Sequence, residues 1–247
     1  MSLFADQLTV DYEKTPALWD ITLDVPENLL VAVVGPNGAG KSTLFKTALG
    51  LLRPTGGEVS LKKGKKVGYV PQCQSVDWDF PITVYDLVMM GRYGTLRWYE
   101  RPSKNDCQIV NQCIQRVGLQ SVLNRQISEL SGGQQARAFI ARALVADADL
   151  YFLDEPFAGI DELSSQVINE ILVELKESGK SLFVVHHDLE EIKRRFDYVI
   201  LLNRRLVAAG PIDQVMTPAN LKKAYGKENL LFDQVARLTK QKASGLA

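Results

Sequence analysis

The densest chemistry in the chain lies at residues 35–43: Gly35, Pro36, Asn37, Gly38, Ala39, Gly40, Lys41, Ser42 and Thr43. They follow an apolar run at 29–34 that reads as a buried strand, and they open a helix carrying Leu44, Phe45, Ala48 and Leu49. A GxxxxGK[ST] pattern between a strand and a helix is a loop able to cradle a triphosphate. Glycine permits positive φ and close backbone approach, so successive amide N–H groups can turn inward on anionic oxygens. The helix N-terminus adds roughly half a positive charge behind them. Lys41 is placed to reach the β- and γ-phosphates, and the Ser42 hydroxyl to ligate Mg2+. A chance glycine-rich turn would not need that strand and that helix on either side.

Four further groups of residues bear on the chemistry. An apolar strand, Leu150 to Leu153, ends in Asp154 and Glu155. A carboxylate at that strand end falls beside the glycine loop and can hold Mg2+ through water; the next acid can orient or deprotonate an attacking water. Two acids after a strand are also the ordinary composition of a solvated helix entry. Ser131, Gly132, Gly133 and Gln134 precede a long helical pattern and offer a second anion nest, although alone they would be a helix cap. His186 and His187, the only histidines, stand at the end of another apolar strand, beside Asp188. One of them can donate a hydrogen bond to a terminal phosphate, and His186 reads as a buried structural residue. No Cys or further His lies at zinc-ligand spacing. Gln72 follows a strand at 67–70 and Pro71, where a lone Gln is usually a surface residue, and Tyr12 ends the first strand, where a Tyr often only packs.

These residues need a scaffold. Short strands are predicted at 3–10, 21–25 and 29–34, and a strand pair at 58–61 and 66–70 around a basic hairpin at 62–66, read as a solvated tip. From about 82 to 145 the pattern is helical. Ile109, Val110, Cys113, Ile114 and Val117 mark one face after a Ser103 N-cap, with Gly118 at its end. A helix at about 132–146 buries Ala136, Phe139, Ile140, Ala143 and Leu144. Strands at 150–153, 181–185 and 198–202 then alternate with helices at about 162–178 and 189–195, which implies a parallel sheet. The helical block is thus an insertion in an α/β order, and the tail from about 211 to 247 reads as helical and polar.

The composition of the 247 residues is that of a globular protein, 46% hydrophobic and 23% charged. Lys plus Arg and Asp plus Glu both number 29, so no net field recruits nucleic acid. No apolar run reaches 18 residues, and the N-terminus lacks the basic and apolar regions of a signal peptide. Cys73, Cys107 and Cys113 form no CxxC pair and suit free thiols in a reducing compartment.

A phosphate-binding loop alone fits kinases, GTPases and many ATPases. Leu130-Ser131-Gly132-Gly133-Gln134 ahead of an apolar–acidic strand narrows the field: over residues 1–225 the chain resembles ATP-binding-cassette (ABC) ATPases. The resemblance implies an α/β fold: a P-loop NTPase (RecA-like) core with an N-terminal antiparallel β portion and an inserted α-helical subdomain. The core would comprise 1–76 and 146–225, the helical subdomain 77–145, and a tail 226–247. It implies ATP and Mg2+ as cofactors, Glu155 as catalytic base, His187 as switch residue and Gln72 as sensor of Mg2+ and γ-phosphate. Tyr12 would stack on adenine, and Ser42, Gln72 and Asp154 would serve the Mg2+. Such cassettes work as head-to-tail homodimers, each ATP lying between the P-loop of one copy and Ser131–Gln134 of the other. Asp161 would sit at that interface, although Ala158-Gly159-Ile160-Asp161 departs from the usual Ser-Ala-Leu-Asp.

The resemblance also implies a separate integral membrane permease, met through about residues 72–93, at the cytoplasmic face of the membrane. Asp77-Trp78-Asp79-Phe80-Pro81, the turn after Glu155 and the paired histidines look like the manganese/zinc/iron branch of importers, with manganese first and an extracytoplasmic metal-binding protein acting indirectly. Asp77 and Asp79 read as framing a protein contact rather than as metal ligands. The rivals are an ABC ATPase for another solute, such as a chelated metal or cofactor, and a soluble ABC protein outside transport. The short stretch between Thr43 and Ser131 leaves no room for the long coiled coil of repair proteins, and a single cassette is unlike the tandem pair of translation factors.

Overall fold

The structure, a computed structural model, describes residues 1–12, 15–73, 76, 78, 80–97 and 99–226. Asp77 and Asp79, and the end of the tail from 227 to 247, lie outside the described residues.

Strands β1 (Leu3–Tyr12), β2 (Thr15–Val25) and β4 (Gly56–Leu61) form an antiparallel sheet in the order β2-β1-β4. The second sheet runs β5-β6-β7-β3-β8-β9, from β3 (Leu30–Val34), β5 (Val67–Val70), β6 (Leu150–Leu153), β7 (Ser181–Val185), β8 (Tyr198–Asn203) and β9 (Arg205–Pro211). Its first five strands are parallel, and β9 closes one edge antiparallel to β8. The unbroken apolar runs of β3 and β7 reflect burial on both faces. Val31, Val33, Phe183 and Val185 join the core between the two sheets, while Leu30, Ala32, Val34, Leu182 and Val184 join the core beneath the helices. In the first core Phe152 stacks on Phe183 at 4.7 Å and meets the edge of Phe45 at 5.1 Å.

Helix α1 (Lys41–Ala48) follows β3. Helices α2 (Val84–Tyr93), α3 (Lys104–Arg116) and α4 (Gly132–Leu144) lie in the chain between β5 and β6. Then α5 (Glu162–Glu177) precedes β7, α6 (Leu189–Arg195) precedes β8, and α7 (Ile212–Val215) and α8 (Pro218–Tyr225) follow β9. The Ser103 cap is present as a full capping box with Asp106. One feature without a periodic signal binds the helical block: Arg92 of α2 donates to Asp106 Oδ1 of α3 (2.7 and 2.9 Å) and to the Val145 carbonyl after α4 (2.8 Å).

The expected strand pair around residues 62–66 does not form. β4 pairs with β1, while β5 pairs in parallel with β6, so the chain crosses from one sheet to the other. Gly64, at φ +77°, supplies a turn, but a turn residue does not choose a strand's partner. Non-local contacts do. Asp149 accepts the Lys66 backbone N–H at 3.0 Å and pairs with Lys65 at 3.2 Å, pinning the start of β5 beside β6. β9 is a second difference, since no strand is predicted at 205–210. Its half-buried Leu206, Val207, Ala208 and Ala209 carry no clean alternation, and its pairing begins at a tight turn through Arg204, φ +57°.

Candidate functional site

The C-terminal ends of β3, β5, β6 and β7 open on one edge of the parallel sheet, where α/β folds place ligands. The loop after β3 is shaped by contacts that only glycine permits. A Cβ at Gly35 would stand 2.1 Å from the Leu202 carbonyl oxygen, and one at Gly40 would stand 2.4 Å from Leu18 Cδ2. Gly40 caps α1 at φ +95° with no side-chain cap, so the amides of the first turn remain for another acceptor. Lys41 is 6% exposed, and its Nζ donates to the Gly35 and Pro36 carbonyls at 2.9 and 3.0 Å. Burial pulls its pKa below the ordinary lysine value, opposed by the negative charges of Glu155 and Asp154.

The carboxylates come from β6. Asp154 is 2% exposed and accepts from the Ser42 hydroxyl at 3.1 Å. Burial raises its pKa; the Ser42 bond opposes the rise and neighbouring Glu155 adds to it. Glu155 has φ +54°, a left-handed conformation that a glutamate adopts only under constraint. Its two oxygens are held from opposite sides, with Gln72 Nε2 donating to Oε2 at 2.9 Å and His187 Nε2 lying 2.8 Å from Oε1. Gln72 arrives from the end of β5 and His187 from the end of β7, the two neighbours of β6 in the sheet.

An open cleft of about 610 Å3 is lined by Asn37, Gly38, Ala39, Gly40, Lys41, Ser42 and Thr43, and by Gln72, Glu155 and His187. Asp154 lies beneath it, bonded to Ser42. Tyr12 does not line it. That residue ends β1, 45% exposed, opposite Thr15.

The residues Ser131, Gly132, Gly133 and Gln134 are not in this cleft either. They cap α4, with Ser131 and Gln134 in a reciprocal capping box and with Ser131 and Gly132 exposed. Behind them the loop rests on the turn before α5. A Cβ at Gly133 would stand 2.3 Å from Ser164 Oγ and 2.4 Å from Asp161 Oδ2. Asp161 caps α5, accepting from the Ser164 amide at 2.8 Å and its hydroxyl at 2.9 Å, bonds that hold its carboxyl below the usual pKa. Ser164 is not among the residues expected from the sequence. Its only signal is the three-residue spacing of an N-cap from Asp161.

The stretch that carries most of this cleft and the second glycine-rich helix cap is matched by a family model described as ABC transporter, over residues 18–158. The chain belongs to the ABC transporter family. Among relatives of this cassette, the zinc transport system ATP-binding protein TroB of Treponema pallidum is 50% identical over 90% of this chain and 85% of that protein. The manganese transport system ATP-binding protein MntB of Bacillus subtilis is 49% identical over 90% of this chain and 91% of that protein. The fold of the cassette also matches solved structures. An inward-facing transporter described as of metal-chelate type superposes with TM-score 0.81 at 27% identity, over 91% of this chain and 88% of that one. A bacterial ABC transporter cassette solved as a dimer superposes with TM-score 0.76 at 25% identity, over 85% of this chain and 98% of that one.

Proposed function

We propose that this cassette is the ATP-hydrolysing subunit of a divalent metal importer, working as a head-to-tail homodimer on the cytoplasmic face of a membrane permease. The observation that carries the hydrolytic reading is Glu155, held between Gln72 and His187 at the mouth of the phosphate-binding cleft. The relatives named for zinc and manganese transport support the cargo class. We put manganese first, with zinc or iron next. The permease would be met through about Gln72 to Tyr93, and an extracytoplasmic metal-binding protein would act indirectly. No helix among the described residues is long and apolar enough to cross a membrane, consistent with a separate permease.

In this reading Lys41 and the amides at the start of α1 bind the β- and γ-phosphates. Ser42 and Asp154, bonded to each other, and the side-chain amide oxygen that Gln72 could add are oxygen donors of the kind a hard cation prefers, and a carboxylate buried as Asp154 is gains most from one. They would hold Mg2+, which when bound offsets charge on the terminal phosphates. Glu155 accepts the proton of the attacking water, a contribution of about 10²–10⁴ in rate. Gln72 and His187 keep its oxygens aimed into the cleft. Tyr12, exposed at the end of β1, offers a ring face for adenine.

The test is reconstitution with the permease in vesicles. Mn2+ uptake should require ATP on the cassette side and should stop in Glu155→Gln, which still binds nucleotide and accumulates as a closed dimer. Hydrolysis at the wild-type rate in Glu155→Gln would remove Glu155 from its role. Turnover without uptake of Mn2+, Zn2+ or Fe2+ would remove the cargo assignment.

A further inference from the structure

The histidine beside the cleft that does not touch Glu155 is the more constrained of the pair. His186 is 5% exposed, with its ring centroid 4.9 Å from that of Phe157 and 5.8 Å from that of Phe196. Its Nδ1 accepts the backbone N–H of Asp188 at 3.0 Å. An accepting Nδ1 carries no proton, so the neutral ring bears its proton on Nε2. That nitrogen is 3.1 Å from Glu191 Oε2, yet the approach is not aligned as a hydrogen bond, and Nε2 is a buried polar atom without a hydrogen-bond partner among the described residues. Burying a ring nitrogen against a carboxylate costs desolvation, and nothing in simple packing calls for it when a phenyl ring would fill the same space.

The ring stands at a junction. Residue 186 follows the last residue of β7, and the Asp188 amide that it holds belongs to the N-cap of α6, whose Oδ1 accepts from the Glu190 and Glu191 amides at 2.9 and 3.1 Å. Between the two lies His187, the residue that meets Glu155. The Asp188 bond to Nδ1 therefore closes a tight turn whose outward residue is His187. The far side of the ring faces Glu191, itself fixed by Asn169 at 3.2 Å and Arg195 at 3.2 Å. A cavity of about 280 Å3 lies here, lined by His186, Glu191, Phe157, Ser165, His187 and Glu155, so the turn has room to shift if its bond is lost.

We propose that His186 is a positioning residue for hydrolysis: its unprotonated Nδ1 fixes the turn that presents His187 to Glu155. A proton on Nδ1 would face the Asp188 N–H donor to donor and open the turn. Burial resists that protonation, lowering the His186 pKa; Glu191 and Asp188 act the other way and neighbouring His187 acts with burial. The ring is thus kept in the one state that supports the turn.

The inference rests on the hydrolytic reading above, and the test separates the two. Asn at position 186 places a carbonyl oxygen near the Nδ1 position, whereas Gln places its amide near the Nε2 position and leaves the Asp188 amide unmatched. The purified full chain is assayed for Mg-ATP hydrolysis as wild type, His186→Asn and His186→Gln. Expected are a His186→Asn kcat within about threefold of wild type and a His186→Gln kcat lowered by roughly 100-fold, the scale of a small misplacement at a reacting site. KM for ATP should stay within about twofold in both, since the nucleotide grip lies on β3 and α1. Equal kcat in the two variants, or kcat lost together with nucleotide affinity, overturns the positioning role while leaving the ATPase reading in place. A wild-type chain without turnover overturns both.

Discussion

Two helix N-termini in the inserted block are built by the same rule and finished differently. Ser103 before α3 and Ser131 before α4 each close a capping box with the third residue of the helix. At α3 that residue is Asp106, 4% exposed, whose carboxylate answers the positive end of the helix and pairs with Arg92. At α4 it is the neutral Gln134, no acid stands in the first turn, and Ser131 and Gly132 are exposed. The end of α1 that lines the cleft is likewise acid-free, whereas α2, α3, α5 and α6 all carry Asp or Glu in their first turn. Among the described residues the only other longer helix without one is α8, which starts on Pro218. An N-terminus supplied with its own carboxylate is complete within the chain. One left without it, uncovered and glycine-lined, is set up for an anion from outside.

Loss of the grip itself should have the largest effect. Lys41→Ala removes the buried ammonium of the cleft while its carbonyl partners at Gly35 and Pro36 remain, and ATP affinity should fall by about 100-fold or more in equilibrium dialysis. Unchanged affinity would put the phosphates somewhere other than α1. Next comes Ser131→Arg, which fills the open end of α4 with a bulky cation. If that end completes the site of a facing copy, turnover should drop by roughly 100-fold while nucleotide affinity of the isolated chain holds. Full activity in that variant would mean that α4 is merely capped, as α3 is.

The closed end makes the opposite prediction. The Ser103 bonds, and after them Arg92, hold the Asp106 carboxyl at a pKa of about 2, below its ordinary 3.8. A lowered carboxylate stabilises the fold fully above the unfolded value and loses that contribution as pH falls. Thermal midpoints should therefore fall between pH 4 and about 2 in the wild type. Asp106→Asn should lower the midpoint at neutral pH by several degrees and flatten this part of the acid limb. A wild-type acid limb retained in Asp106→Asn would place the titration elsewhere.

Much of this comparison could be read before the fold was seen, because its parts are local. The bounds of β6, β7 and α6 follow from unbroken apolar runs and a capping Asp, and Ser103 and Ser131 announce themselves within four residues. The residues of the cleft were also individually legible. Their pairing was not: Glu155 meets Gln72 and His187 only because the sheet order sets β5, β6 and β7 side by side. Non-local partners account for the other differences too. The partner of β4 lies in β1, Arg92 reaches across three helices, and His186 faces a carboxylate one helix turn into α6. Periodicity records which face is buried but not what it is buried against.

The smallest effects give the sharpest separation, since they come from one chemical change made twice. Ser→Ala at an N-cap typically costs about 1 kcal/mol. At 103 the hydroxyl also donates to Asp106 Oδ2 at 2.6 Å, so its loss loosens a nearly buried carboxylate; the thermal midpoint should fall by about 2–4 °C with kcat unchanged. At 131 the cap bond has the same length as at 103, 3.3 Å, but the third helix residue is the neutral Gln134, and solvent can replace the lost hydroxyl. If Ser131 also serves a phosphate held by a facing copy, Ser131→Ala should move the midpoint less, yet lower kcat by several-fold. Equal shifts in stability with equal activity would make the two caps one kind of structure, and the open end of α4 would have no function of its own.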